Sequence, residues 1–182
     1  MSSRSARDAL LDRVLDYFAR RGVGDTSLRA LAAGVGTSHR MLIYHFGSRE
    51  GLLAAIMERI WVEQHAQLEK LLAAEDPFEA AWHFWQQLAD DRSFAPLFFE
   101  LSAAAMQGHD WAIDLRGWVQ TWTDRLIQFF TDVGHPPARA DILGRTAMAL
   151  VRGVLFELAL TGDRAGADRT IANFLDTSHP PS

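Results

Sequence analysis

The 182-residue chain contains no cysteine. Disulfides and thiolate metal sites are therefore excluded, and nothing points to an oxidising compartment. No apolar run approaches the roughly 20 residues that a membrane-spanning helix needs. The first residues, MSSRSARDALLDRVLDYF, carry charges throughout their apolar pattern and lack the uninterrupted apolar core of a signal peptide. A cytoplasmic protein is the expectation. Basic residues are also in the minority, 18 against 23 acidic, for a net charge of −5. No glycine-rich loop of phosphate-cradling type occurs, and no nucleophile, base and orienting partner stand at informative spacing. An enzyme is not expected, nor is a cofactor.

What is present is apolar and helical. Hydrophobic residues make up 48% of the chain and aromatics 10%, enough for a sizeable core. No convincing strand, internal repeat or low-complexity segment appears. Leu10, Leu11, Val14, Leu15 and Phe18 form the apolar face of a first helix over 5–21, closed by Gly22 and Gly24.

The densest information lies in residues 26–52, TSLRALAAGVGTSHRMLIYHFGSREGL. Thr26 is the expected N-cap of a helix whose buried face carries Leu28, Leu31 and Ala32. Glycines at 34 and 36 permit a sharp reversal. Ser38 then caps a second short helix to about Phe46, docked through Leu42 and Phe46. His39, Arg40, Ile43 and Tyr44 are left on its other faces. A short polar helix held across a scaffold helix is the recognition geometry of helix-turn-helix proteins.

The charge, once divided, agrees with that geometry. Residues 1–50 hold eight Arg against five acidic residues, a balance of +3, and the remainder carries −8. The positive charge sits with the hairpin.

The hairpin resembles the DNA-binding segment of TetR-family transcriptional regulators, without a gap over about 27 residues. Thr26-Ser27-Leu28-Arg29-Ala30-Leu31-Ala32 falls on the family's Thr-Thr-Val-Arg-x-Ile-Ala run, and Gly36-Thr37-Ser38 on its Gly-Val-Ser. Leu42-Ile43-Tyr44-His45-Phe46 falls on Leu-Tyr-x-His-Phe, and Ser48-Arg49-Glu50-Gly51-Leu52 on Ser-Lys-Glu-x-Leu. Two positions depart: Thr37 replaces the apolar residue of the turn, and Ile43 stands where a family tyrosine often contacts phosphate.

The rest of the chain continues in helices. Ser48 caps a long connector helix towards Ala74 that carries Leu52, Leu53, Ile56 and Ile60. Asp76-Pro77 starts a fifth helix with Phe78, Trp82, Trp85 and Leu88. A sixth is expected over 93–106, starting at Ser93. A seventh runs from Asp110 and carries Trp111, Leu115, Trp118, Trp122, Leu126 and Phe129 at steps of three or four. Gly134 and Pro136-Pro137 end it, a long helix follows over 138–160, and a shorter one over 165–175 precedes a frayed tail, residues 179–182.

The expected fold is all-α: a three-helix helix-turn-helix DNA-binding domain, residues 1–47, and a larger helical effector-binding and dimerisation domain, residues 48–182, about nine helices together. The resemblance implies a ligand-responsive, DNA-binding transcriptional regulator, a repressor released from a palindromic operator by a small, largely apolar effector. Its partners would be double-stranded operator DNA, the small-molecule effector and a second identical subunit, with no membrane. Arg29, His39 and Arg40 are the expected readers of base edges, and Thr26, Ser27, Tyr44, His45 and Arg49 the expected phosphate contacts.

In the body, six tryptophans all follow the hairpin. An aromatic stripe at helical spacing packs helix against helix. The alternative is an effector pocket lined by Trp82, Trp85, Phe98, Met106, Trp118, Trp122 and Phe156. Ala140, Gly144, Ala147 and Gly153 suit either close contact across a dimer or packing within one subunit. Glu79 and His83 form an i, i+4 pair, but no second pair of ligands stands near it in sequence, so no metal is expected. The competing class is a helical small-molecule-binding or enzymatic domain that has lost DNA binding, resting on Thr37 and Ile43.

Overall fold

The computed structural model describes residues 5–24, 26–92, 94–112 and 114–180. These form nine α-helices and one 3-10 turn, with no strand among the described residues. In chain order they are α1 (Ala6–Arg21), α2 (Leu28–Gly34), α3 (His39–Phe46), α4 (Arg49–Leu72), α5 (Pro77–Asp90) and α6 (Phe94–Met106). The 3-10 turn Asp110–Ala112 follows, then α7 (Leu115–Asp132), α8 (Pro137–Thr161) and α9 (Arg164–Thr177). The chain is all-α, with a helix-turn-helix hairpin near its N-terminus. Contacts divide it into two units: residues 1–62 with 96–115, and residues 63–95 with 116–182.

In the first unit the apolar periodicity of α1 becomes burial. Leu10, Leu11, Val14 and Phe18 are its buried residues, spaced three and four apart. Ser5 caps the helix, accepting from the Asp8 N–H, and Gly22 ends it at φ 74°, a conformation that favours glycine. The Ser5 hydroxyl also donates to the Asp8 carboxylate at 2.8 Å, and this bond foremost holds the Asp8 carboxyl below its usual range. Arg59 on α4 lies 3.2 Å from Asp12, adding a half-buried ion pair between α4 and α1.

The hairpin core comprises Leu31 and Ala32 from α2, Val35 from the turn, and Leu42 and Phe46 from α3. Burial of a leucine or phenylalanine of this kind stabilises by about 1.5–3 kcal/mol. The α2–α3 turn is closed by Gly36 at φ 67° and by the Thr37 N–H donating to the Ala32 carbonyl. The cap of α2 is Ser27 rather than Thr26: the Ser27 hydroxyl accepts from the Ala30 N–H at 3.2 Å. The Thr26 carbonyl instead takes a bond from Arg49, and its N–H bonds to the Val23 carbonyl, so Thr26 ends the preceding turn. Two adjacent hydroxyl residues are equal candidates in sequence, and a contact 23 residues away separates them.

The second unit is held by aromatics and by arginine–carboxylate ties. Trp85 on α5 is 2% exposed, and its indole N–H donates to Asp168 on α9 at 2.7 Å. Arg164 donates to Asp168 at 2.8 Å and to Asp90 at the end of α5. Arg125 on α7 holds Glu69 on α4 through two bonds of 2.6 and 2.7 Å. These bonds keep the Glu69 carboxyl below its usual range and raise the Arg125 guanidinium. Phe130, Ala140 and Leu143 form a buried cluster with Phe78, Phe129, Val133, Ala147 and Phe174 around it.

One expected element differs. The helix foreseen from Asp110 begins only at Leu115, and Trp111 lies in the 3-10 turn. Gly108 at φ 81° ends α6, and the Ala112 N–H closes on the His109 carbonyl with Ala112 buried, so the chain turns before α7 starts. Regular spacing of Trp111 with Leu115 could not reveal that break. The expected helix start at Ser93 lies outside the described residues, and α6 is described from Phe94.

Two glycines in helices make opposite demands. A Cβ at Gly51 would lie 2.1 Å from the Phe46 carbonyl oxygen, whereas one at Gly117 meets open space. Gly51→Ala is expected to destabilise by about 1–3 kcal/mol through backbone displacement, and Gly117→Ala to stabilise by about 0.5–1 kcal/mol through helix propensity. Urea unfolding of both variants checks the pair; equal midpoints would contradict the close approach at Gly51.

Candidate nucleic-acid interface

Three serines cap three successive helices in the first 51 residues. Ser27 accepts from Ala30, Ser38 from the Met41 N–H at 3.2 Å, and Ser48 from the Gly51 N–H at 3.0 Å. An N-cap hydroxyl that accepts from its helix keeps its own hydrogen for donation outward. Each helix start also carries a partial positive charge, a setting suited to anions such as phosphate. The Glu50 carboxyl responds to this setting at the start of α4: its own backbone N–H, then the Ser48 hydroxyl, hold it below the usual range.

α3 has two contrasting sides. Leu42 and Phe46 are buried, while His39, Arg40, Met41, Ile43 and Tyr44 are exposed. Tyr44 is 78% exposed, an unusual position for a tyrosine that packing alone would recruit. Its ring meets His45 edge-on at 5.0 Å, and Arg7 lies over the Phe46 ring at 5.3 Å. Arg29 on α2 is exposed as well. The three expected base readers, Arg29, His39 and Arg40, are thus all open to solvent on the hairpin.

The expected phosphate residues divide. Ser27 and Tyr44 are exposed, and Thr26 and His45 are half-buried. Arg49 is engaged internally, donating through Nη2 to the Gly24 carbonyl at 2.6 Å and through Nε to the Thr26 carbonyl at 3.5 Å. It braces the turn before α2 against the start of α4. Ile43, 38% exposed, and Met41, 40% exposed, widen the apolar part of this surface. Met41 was not foreseen; its only signal is an apolar side chain lying off the Leu42–Phe46 stripe. Glu100 of α6, equally unforeseen, accepts from the Val23 and Gly24 N–H groups.

The residues expected at an effector site fall in both units. Phe98 and Met106 belong to the first, with Phe98 half-buried and Met106 81% exposed. Trp82, Trp85, Trp118, Trp122 and Phe156 belong to the second. There Trp85 is buried with its N–H on Asp168, Trp82, Trp118 and Trp122 are half-buried, and Phe156 is 51% exposed. A concavity of about 420 Å³ opens between α8 and α9, bordered by Val154, Glu157, Asp163 and Arg169; none of the seven lines it.

The four small residues of α8 also part company. Ala140 is fully buried, Gly144 abuts the Ile127 backbone and Ala147 packs on the same cluster, so these three serve α7–α8 packing within one chain. Gly153 faces open space. On the same helix, Ile142, Phe156 and Leu160 are exposed large apolar residues. Glu79 and His83 approach to 3.8 Å on an exposed face, and no group of three potential ligands occurs among the described residues. No helix among the described residues is long and apolar enough to cross a membrane.

Comparison with known proteins places this geometry. Residues 10–56 match the sequence family described as bacterial regulatory proteins, tetR family. The HTH-type transcriptional regulatory protein RaaS of Mycobacterium tuberculosis is 32% identical over 108 residues. That alignment covers 59% of this chain and 49% of the relative, so the match spans about half the relative's length. A transcriptional regulator from Rhodococcus sp. Rha1 has a similar fold, with a TM-score of 0.78 at 20% identity over 96% of this chain and 94% of that one. A TetR transcriptional regulator from Legionella pneumophila gives a TM-score of 0.79 at 17% identity over 99% and 100% of the two chains. The helix-turn-helix segment, residues 10–56, is thus matched in sequence to the tetR family of bacterial regulatory proteins, and the chain's order of helices is that of solved structures of similar fold.

Proposed function

We propose that the protein is a ligand-responsive transcriptional repressor that binds a palindromic operator as a homodimer. The observation that carries this reading is the solvent face of α3, where His39, Arg40 and a 78% exposed Tyr44 stand opposite the buried Leu42 and Phe46. Residues 1–47 act as the DNA-binding domain, and residues 48–182 as the ligand-binding and dimerisation domain. The protein works where the DNA is, in the cytoplasm, and performs no catalysis.

Arg29, His39 and Arg40 read base edges, with Arg40 able to bond guanine bidentately. Ser27 and Tyr44 donate to phosphates, and Thr26 and His45 lie beside them. Arg49 contributes by holding the turn before α2. Because Arg40 lies on the exposed side of α3, Met41 and Ile43 meet the groove as apolar neighbours, a role suited to thymine methyl groups.

One such hairpin reads only a few base pairs, so two copies are needed for a specific site. The exposed Ile142, Gly153, Phe156 and Leu160 of α8 support a second copy as the partner of that surface, since large apolar side chains in one row favour burial. The effector is small and largely apolar, held near the half-buried Trp82, Trp118 and Trp122 of the second unit. It acts through unequal affinity for two states of the protein. α4 contributes residues to both units and is one of three covalent crossings between them, the others lying at 95/96 in α6 and 115/116 in α7.

Three outcomes are expected. Arg40→Ala weakens binding to a DNA fragment flanking the protein's own gene by about 1–3 kcal/mol and relaxes base preference; a mobility-shift titration with an unchanged profile would remove Arg40 from readout. The affinity of the wild type falls steeply as salt rises, because phosphate contacts release counterions; absence of salt-dependent binding to every fragment tested would refute the regulator. In sedimentation at micromolar concentration the wild type runs at twice the chain mass, and Phe156→Glu combined with Leu160→Glu runs as a monomer. A monomeric wild type would overturn the dimer.

A further inference from the structure

The turn between α1 and α2 is gripped by two opposite charges from distant parts of the chain. Just after Gly22, whose φ is 74°, the Val23 and Gly24 N–H groups converge on one carboxylate. Successive N–H groups arranged in this way form a concavity that favours an anion. Here the anion is the Glu100 carboxylate of α6, with Oε2 accepting from Val23 at 2.9 Å and Oε1 from Gly24 at 2.5 Å. On the other face of the same residue, the Gly24 carbonyl accepts from Arg49 Nη2 at 2.6 Å. Gly24 is therefore clamped between a carboxylate 76 residues away and a guanidinium 25 residues away.

We propose that Glu100 is a positioning residue for DNA recognition, setting the orientation of α2 and α3 by fixing the Val23–Gly24 turn that leads into them. This rests on the proposed DNA-binding role of the hairpin. Among the described residues, polar contacts rather than side-chain packing hold Gly24. Gly24 is exposed at φ 40° with no neighbour within 4 Å of where a Cβ would sit, so apolar packing does not set its conformation. Val23 is buried, and without Glu100 its N–H would lose its acceptor inside the protein. The Val23 carbonyl accepts from the Thr26 N–H, which adjoins the Ser27 cap, and α2 in turn holds α3 through Leu31, Ala32, Leu42 and Phe46. A change of a few degrees at Gly24 is thus handed to Arg29, His39 and Arg40. α6 gains a direct grip on the reading surface, although the chain places it 48 residues beyond Leu52.

The test compares the wild type with Glu100→Gln and Glu100→Ala in the full chain. Gln keeps one carbonyl acceptor but turns an NH2 group towards the second amide, and Ala removes both acceptors. Amide hydrogen exchange at Val23 and Gly24 is expected to speed up by about tenfold or more, the loss expected for one hydrogen bond to a charged group, and further in Ala than in Gln. The amide resonances of Arg29, Arg40 and Tyr44 should shift in the same order, and affinity for the DNA fragment flanking the protein's own gene should fall by about tenfold while far-ultraviolet circular dichroism stays that of the wild type. Faster exchange at the turn with unmoved α2 and α3 resonances would overturn the proposal, as would unchanged exchange. If Glu100→Ala fails to fold, the isosteric Glu100→Gln alone decides. A wild type that binds no DNA defeats the regulator reading, and the resonance shifts then still decide whether Glu100 sets the hairpin.

Discussion

The exposed face of the hairpin depends on docking a helix too short to be stable alone. α3 has eight residues, and isolated helices below about 12–15 residues are marginal in water. Its conformation is maintained by burial of Leu42 and Phe46 and by the Ser38 cap. That burial also decides orientation: with two side chains four apart turned inward, the others on the helix must face out. The exposed His39, Arg40 and Tyr44 are consequences of the inward pair as much as of their own polarity.

The net negative charge becomes intelligible in the same terms. Basic residues predominate in the first fifty positions, and the acidic excess is carried by the rest, so the basic excess is local to the N-terminal segment that contains the hairpin. Several of the arginines are nonetheless structural. Arg49 is engaged with two backbone carbonyls, Arg59 lies against Asp12, and Arg125 and Arg164 are forked onto carboxylates. A count of positive charge therefore overstates what remains available for phosphate.

The second unit uses its tryptophans unequally. Trp85 is a core residue with a satisfied N–H, and the Asp168 that satisfies it is shared with Arg164. A buried indole held in this way links α5 to α9 in one geometry, since an unpaired N–H in its place would be costly. Trp82, Trp118 and Trp122 are only half-buried and keep surface to offer. The small residues of α8 divide likewise: Gly144 is small because Ile127 approaches closely, and Gly153 meets no neighbour.

The sequence by itself determined the helical class, the hairpin, its two inward residues and the exposed Arg29, His39 and Arg40, because these follow from local periodicity and capping chemistry. It also located Gly51 and Ser48 at the start of α4. Tertiary structure decided what periodicity cannot encode. Ser27 and not Thr26 caps α2 because Arg49 takes the Thr26 carbonyl, and Arg49 serves the turn because Gly24 and Thr26 lie within its reach. Trp111 keeps helical spacing with Leu115 yet sits in a separate turn, because Ala112 is buried where the chain bends. Glu100 gave no sign of its place beside Val23, since a hydrogen bond spanning 77 residues has no local pattern. Spacing along a helix is fixed by its backbone geometry, whereas a partner from a distant segment is fixed only when the chain has closed on itself.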